Sequence, residues 1–130
     1  MDDATTFLNA DPFSKQLGIR LISSSPGKST LHLDISENHL NSHGTVHGGV
    51  IFSLADVAFA VASNTSGIPA VAINTSITYM KAASSGTLIA EANEFSSNPK
   101  LGSYVVEVYD QNREKIAVFQ GLAYRKSPRK

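Results

Sequence analysis

Residues Asn41 to Gly67 read Asn-Ser-His-Gly-Thr-Val-His-Gly-Gly-Val-Ile-Phe-Ser-Leu-Ala-Asp-Val-Ala-Phe-Ala-Val-Ala-Ser-Asn-Thr-Ser-Gly, the pattern of one loop feeding one buried helix. From Val50 to Ala62 nearly every residue is apolar, with no single apolar stripe. A helix hydrophobic all round is surrounded by protein or by lipid. This run is interrupted by Ser53 and Asp56 and falls short of the ~20 residues that a bilayer span needs. It is therefore expected to pass through the middle of a soluble domain. Asn64, Thr65, Ser66 and then Gly67 signal its end, glycine being the usual residue of the left-handed turn that closes a helix. Gly48-Gly49 marks its start and leaves backbone N–H groups uncovered and approachable.

Asp56 does not fit an apolar helix. An ionised carboxylate in such surroundings is costly unless it is paired or its pKa moves. It reads in two ways. Either it reaches a buried partner such as a hydroxyl, or an opening in the core, or it is a general base or nucleophile held in a dry cleft. Geometry bears on the choice, because Gly48 and Asp56 are eight residues apart, about 12 Å along one helix. One reacting carbonyl cannot touch both. If the helix N-terminus supplies oxyanion donors and Asp56 the base, the two come from different subunits, with helices antiparallel across a two-fold axis. Such a function requires a dimer.

A chain of 130 residues is one domain, 1–130, and buries about two-thirds of its unfolded surface. Eleven basic and eleven acidic residues leave no overall field to attract nucleic acid or an anionic membrane, so neither is expected as a partner. Arg125, Lys126, Arg129 and Lys130 form a basic tail, which reads as a solvated terminus or, functionally, as a local phosphate contact. There is no cysteine, which excludes disulfides, thiolate metal sites and a thiol nucleophile and fits a reducing cytosol. The opening Met-Asp-Asp-Ala-Thr-Thr lacks the basic and apolar segments of a secretory signal. A cytoplasmic protein is expected.

Outward from the central helix, Asp3 to Leu17 carries Phe7, Leu8, Phe13 and Leu17 and is followed by Gly18, which predicts a short helix or two helical turns on the surface. Ile19, Leu21, the pair Pro26-Gly27, then Leu31, Leu33 and Ile35 predict a hairpin of two strands, with His32 out of phase and exposed. Pro69 to Met80 is rich in β-favouring residues and ends in the polar loop Lys81 to Gly86. Leu88 to Ser96, Ser103 to Tyr109 and Lys115 to Tyr124 read as three further strands. Ser97 to Lys100 and Asp110 to Arg113 supply turn chemistry between them, and such short connections make antiparallel neighbours. The fold class is α+β: a curved antiparallel sheet of five or six strands wrapped around one long helix.

That architecture and the loop-helix motif resemble the hotdog-fold acyl-CoA thioesterases, in the branch of the phenylacetate-degradation (PaaI-like) thioesterases. The resemblance runs from about Phe13 to Arg125. It rests on Asn41-x-His43-Gly44-Thr45-x-His47-Gly48-Gly49, Leu54-Ala55-Asp56, Ile77-Thr78-Tyr79-Met80 ahead of Gly86, and Ala117 to Arg125. It implies that Asn41 positions substrate or water, that His47 orients the loop, that the Gly48 N–H meets the thioester oxygen, and that Asp56 of the partner subunit drives hydrolysis. It also implies an acyl-CoA substrate, a homodimer that forms the active site, homotetramers built from two dimers, and no cofactor. Gly49, Lys81, Lys100 and Tyr79 are the expected substrate contacts. The family's Arg-Pro-Ala loop reads Lys81-Ala82-Ala83 here, and its arginine-bearing turn reads Asn98-Pro99-Lys100, so Lys81 and Lys100 would hold phosphates as point charges without a bidentate grip.

Thioester hydrolysis needs donors where charge develops on the carbonyl oxygen, which a helix N-terminus supplies, and a base or nucleophile opposite. Asp56 serves by deprotonating water or by forming an acyl anhydride. Other readings compete. His43 and His47, with His39 nearby, are a weak metal set because the intervening sequence is a glycine-rich loop, and no metal is expected. Ser53 lacks the Gly-x-Ser-x-Gly elbow and reads as a packing hydroxyl. A hotdog hydratase or dehydratase would carry a differently spaced His and acid. A non-catalytic acyl-CoA-binding module would favour an apolar residue where Asp56 stands. Val50, Phe52, Val57, Phe59, Tyr79 and Met80 are candidates for the acyl pocket or for core packing, and the acyl group reads as aromatic or medium-chain aliphatic.

Overall fold

Alternation of apolar residues at a period of two becomes six strands in the computed structural model, which describes residues 3–65 and 67–126. Ser66 of the expected helix stop, and Arg129 and Lys130 of the basic tail, lie outside the described residues. Two short helices, α1 (Asp3–Asn9) and α2 (Pro12–Leu17), open the chain, and Gly18 closes α2 in the left-handed conformation that glycine adopts without strain. The hairpin β1 (Ile19–Ser25) and β2 (Lys28–Asp34) follows, then a single 3-10 turn at Glu37–His39 and the long helix α3 (Gly48–Ser63). Strands β3 (Ala70–Tyr79), β4 (Thr87–Ser97), β5 (Leu101–Tyr109) and β6 (Lys115–Arg125) complete the fold. Among the described residues no helix is long and apolar enough to cross a membrane.

All six strands pair antiparallel in the order β1-β2-β4-β5-β6-β3. The curved sheet and single long helix are the hotdog architecture expected above. One face of the sheet presents Leu31, Leu33, Leu88, Ala90, Ala92, Val106, Val108, Phe119 and Ala123 to α3, all buried. Alanines on the sheet and at Ala55, Ala58 and Ala62 of the helix let the two layers approach closely. Ser29 of β2 satisfies its buried hydroxyl by donating to the Ala58 carbonyl at 2.7 Å. Phe59 anchors the packing: its ring meets Tyr104 and Phe119 at centroid distances of 5.4 and 5.7 Å. A Cβ on Gly121 would lie 2.8 Å from that ring, so only glycine fits at this point of β6. Truncating such a ring costs about 3–5 kcal/mol.

Two expectations about α3 need correction. The helix is not enclosed on every side by its own chain: Gly49 is exposed and Phe52, Ser53, Asp56 and Ala60 are only half-buried. One sheet and the two short N-terminal helices cover only part of a helix's circumference. The helix also ends at Asn64 rather than at Gly67. The Asn64 side chain donates to the Ala60 carbonyl at 2.9 Å and accepts from the Ala70 N–H at 3.0 Å, which turns the chain into β3. Gly67 does adopt a left-handed φ, in the connection that follows.

Strand β3 does not sit beside its neighbours in sequence. It crosses to the far edge and, among the described residues, pairs only with β6. Its other edge is open, and Val71, Ile73, Tyr79 and the adjoining Met80 are exposed, Met80 by 59%.

Candidate active site

The loop before α3 builds itself from the Asn41 side chain. Asn41 Oδ1 accepts the N–H groups of His43 and Thr45 at 2.9 and 3.2 Å, and its Nδ2 donates to Thr45 Oγ1 at 3.0 Å. The backbone adds Asn41 N–H to the Thr45 carbonyl at 2.7 Å and Gly44 N–H to the Asn41 carbonyl at 3.0 Å. The Asn41 amide is thus turned into its own loop. Val46 N–H bonds the Ala83 carbonyl and His47 N–H bonds the His39 carbonyl, both at 2.8 Å, which ties the loop to the chain on either side. His39 is a buried strut rather than a ligand. Its Nδ1 accepts the Ser36 N–H at 3.0 Å and its Nε2 donates to the Leu17 carbonyl at 2.9 Å.

His47 is the N-cap of α3. Its carbonyl accepts the N–H groups of Val50 and Ile51, and its Nδ1 accepts the Gly49 N–H at 3.0 Å. That leaves one free donor. The Gly49 N–H is committed to His47, so the expected pair of uncovered N–H groups reduces to Gly48, whose N–H has no partner among the described residues. Tyr79, at the end of β3, lies over the same peptide and donates its hydroxyl to the Gly48 carbonyl at 2.9 Å. A Cβ on Gly48 would meet that ring and hydroxyl at 3.3 Å.

Asp56 lies two turns along α3 on its open stripe. No described group donates a hydrogen bond to its carboxylate, so the partnered reading has no support. Burial pushes its pKa above the ordinary aspartate value, and the charge of Asp11, at the start of α2, adds to the rise. An unpaired carboxylate with a raised pKa is suited to take a proton from water or to attack an electrophile. Ser53, one turn earlier, donates its hydroxyl to the Gly49 carbonyl at 2.7 Å, as a packing residue does.

Residues 43–117 of this chain match the model of the thioesterase superfamily. The chain belongs to that superfamily. It is 36% identical, over 88% of its length and 83% of the relative, to the acyl-coenzyme A thioesterase PaaI of Escherichia coli. The solved structure of the E. coli PaaI protein from the phenylacetic acid degradation operon superposes with a TM-score of 0.93 at 33% identity, covering 96% of this chain and 91% of the other. A mutant of the phenylacetic acid degradation protein PaaI from Thermus thermophilus gives 0.85 at 36% identity, covering 89% of this chain and all 100% of that one. The enzyme is a PaaI-like hotdog thioesterase, a hydrolase of thioesters.

The thioesterase treats its two expected phosphate contacts differently. Lys81 is ion-paired with Glu114 and lies 3.9 Å from Asp110. Lys100 is exposed and has no ion pair among the described residues. Its turn is held from below by Arg125, which donates to the carbonyls of Asn98 and Leu101 at 2.9 and 2.7 Å. Arg125 is in turn paired with Glu94. Tyr104 donates to the same Glu94 oxygen at 3.0 Å, and its pKa is pushed up to about 12, first by burial and then by the Glu94 charge. Asn98 Oδ1 closes the turn by accepting the N–H groups of Lys100 and Leu101.

Sequence reasoning missed Glu94, Tyr104 and Asp11, and gave Arg125 no role beyond the basic tail and the end of the Ala117 to Arg125 segment. Glu94 and Arg125 are 31 residues apart, and no local pattern signals such a pair. Of the acyl-pocket candidates, Val57 and Phe59 are core residues. Phe52 packs edge-on against Phe119 at 5.5 Å and remains half-buried like Val50, while Tyr79 and Met80 are exposed beside the open edge of β3.

Proposed function

We propose that this thioesterase hydrolyses acyl-CoA thioesters, with a phenylacetyl-type aromatic acyl group as its preferred substrate, in a site shared between two copies of the chain. One observation carries the reading: the free Gly48 N–H and the unpartnered Asp56 carboxylate lie on one helix, about 12 Å apart. Each subunit then contributes half of each site. The open edge of β3, with Val71 and Ile73 exposed, supports a second copy as the partner, since an unpaired apolar strand edge is otherwise an aggregation hazard. Pairing of two such dimers into a tetramer follows from the family resemblance, and action in the cytoplasm fits a chain without cysteine.

In this mechanism the thioester carbonyl accepts from the Gly48 N–H, at the positive end of the α3 dipole. Asp56 of the partner takes a proton from a water whose oxygen attacks the carbonyl carbon. The carbon–sulfur bond breaks, CoA leaves as the thiolate, and the proton passes to the thiolate or to solvent. Direct attack by the carboxylate, giving an anhydride that water opens, has the same products. His47 holds the donor loop and Asn41 shapes it. Gly49 contributes through its bond to His47 and lets the chain approach the substrate. Lys100 contacts the CoA phosphates, whereas Lys81 must first leave Glu114 to do so. Val50, Phe52, Tyr79 and Met80 flank the acyl group.

The test is complementation. Gly48→Pro removes the donor N–H without disturbing the backbone, because proline suits the first position of a helix and His47 at φ −58° and ψ 135° is already in the conformation favoured before proline. Its Cβ presses on Tyr79 at 3.3 Å as an alanine's would, so Gly48→Ala is the control for crowding. Neither Gly48→Pro nor Asp56→Ala should turn over phenylacetyl-CoA or a medium-chain acyl-CoA at a useful rate. Co-expressed, half the dimers are mixed and each has one intact site, so about a quarter of wild-type activity returns. No recovery in verified mixed dimers would place both groups in one chain's site and sink the shared arrangement. A wild type that prefers the medium-chain ester would sink the aromatic assignment.

A further inference from the structure

Gly48 C=O and Gly49 N–H belong to one planar peptide unit, and this structure holds that unit at both ends. The carbonyl accepts from the Tyr79 hydroxyl at 2.9 Å, and the N–H donates to His47 Nδ1 at 3.0 Å. The preceding peptide, between His47 and Gly48, is held at its carbonyl by the N–H groups of Val50 and Ile51 at 2.9 and 3.2 Å. Its own N–H, that of Gly48, is the one group of the two peptides left without a partner among the described residues. Two consecutive peptides are therefore pinned everywhere except at the donor. Gly48 opens α3, so the helix already holds its carbonyl side. Because glycine has the widest freedom of rotation of any residue, the two side-chain bonds add restraint where the helical ladder has only begun.

We propose that Tyr79 is a positioning residue for the reaction, its hydroxyl fixing the Gly48–Gly49 peptide and through it the direction of the Gly48 N–H. This goes beyond a tyrosine that merely lines the acyl site, and it rests on the reading of Gly48 as the donor to the thioester oxygen. The geometry is specific to the hydroxyl. The ring covers Gly48 in any case, and phenylalanine would keep that contact, but only the hydroxyl reaches the carbonyl. Tyr79 also ends β3, so it transmits the position of the open strand edge to the donor loop.

The experiment compares wild type with Tyr79→Phe and Tyr79→Ala, using phenylacetyl-CoA turnover, oligomeric state, and the amide resonances and hydrogen exchange of Gly48 and Gly49. The Phe variant should keep assembly and KM, lose about five- to tenfold in kcat as expected for one net hydrogen bond, and show shifted Gly48 and Gly49 amides with faster exchange at Gly49. Wild-type kcat in Tyr79→Phe would overturn the proposal. A raised KM with kcat kept would do so as well, because it would make the hydroxyl a substrate contact. The Ala variant should fall further, since it also uncovers Gly48. If the wild type hydrolyses no acyl-CoA, the functional reading fails, and the amide spectra still decide whether the hydroxyl holds the peptide: unshifted Gly48 and Gly49 signals in Tyr79→Phe would overturn that too.

Discussion

The two ends of β3 solve the same problem with different groups. Near its C-terminal end, the loop before α3 bonds its polar groups to one another and leaves one backbone N–H exposed, at Gly48. Near its N-terminal end, where Ala70 pairs with Arg125, the turn between β4 and β5 bonds its carbonyls to the Arg125 guanidinium and leaves one ammonium free, at Lys100. The difference lies in stiffness. A backbone N–H held in a pinned peptide has a fixed direction and can discriminate the charge of a transition state from that of the substrate. An ammonium on a four-carbon stem is a movable point charge, screened by salt, and serves binding more than rate. On the proposed reading the helix end serves chemistry and the turn serves capture.

Damage to the helix end should have the largest effect. Asp56→Asn and Gly48→Pro should each lower kcat by two or more orders of magnitude with the assembly intact. Gly48→Ala, which keeps the N–H but presses a methyl on Tyr79, should fall between these and wild type. Equal losses in the Ala and Pro variants would show that crowding rather than the missing donor is responsible, and would break the comparison.

At the turn the expected effect is smaller and of a different kind. Arg125→Ala should raise KM for a CoA ester about tenfold, leave turnover of a thioester truncated to N-acetylcysteamine near wild type, and reduce stability by about 1–3 kcal/mol through the loss of charged hydrogen bonds. Lys100→Ala should raise KM by a few-fold, more at low ionic strength than at high. A fall in kcat with KM unchanged in either variant would erase the distinction between the two ends.

A third prediction concerns pH. In the proposed mechanism activity needs the Asp56 carboxylate, whose pKa lies above the ordinary 3.8 because of burial and Asp11. The rate should therefore fall on acidification at a higher pH than an ordinary aspartate would give. Asp11→Asn should move that acid limb downward by removing the second cause. An unmoved limb would exclude Asp11 as a contributor.

The smallest effect is on stability, and its sign is unusual for an aspartate. With the folded pKa raised, the folded state holds the proton more tightly than the unfolded chain, so stability falls as pH rises from the ordinary value through the raised one and stays lower above both. Asp56→Asn escapes this penalty. Its Tm should exceed that of wild type at neutral pH, and the gain should vanish below the ordinary aspartate range. A Tm gain that persists at low pH would point to packing instead of charge.

Local patterning in the chain was enough to give the central helix and its start at Gly48-Gly49, though not its stop at Asn64, together with the Pro26-Gly27 hairpin, the strand runs and the turns between them, because periodicity and turn chemistry act over a few residues. The spacing of Gly48 and Asp56 was enough to suggest that they cannot serve one carbonyl from one chain, since helix rise is a constant. Tertiary structure alone decided the rest. It sent β3 to the far edge of the sheet, where its apolar residues stay open. It committed the Gly49 N–H to His47 and the Asn41 amide to its own loop, set the Tyr79 hydroxyl on the Gly48 carbonyl, and joined Arg125 to Glu94 and the Lys100 turn. The Gly49 and Asn41 bonds join residues two to four apart and turn on side-chain orientation, which leaves no periodic trace; the others join groups far apart in sequence and exist only once the sheet has closed around the helix.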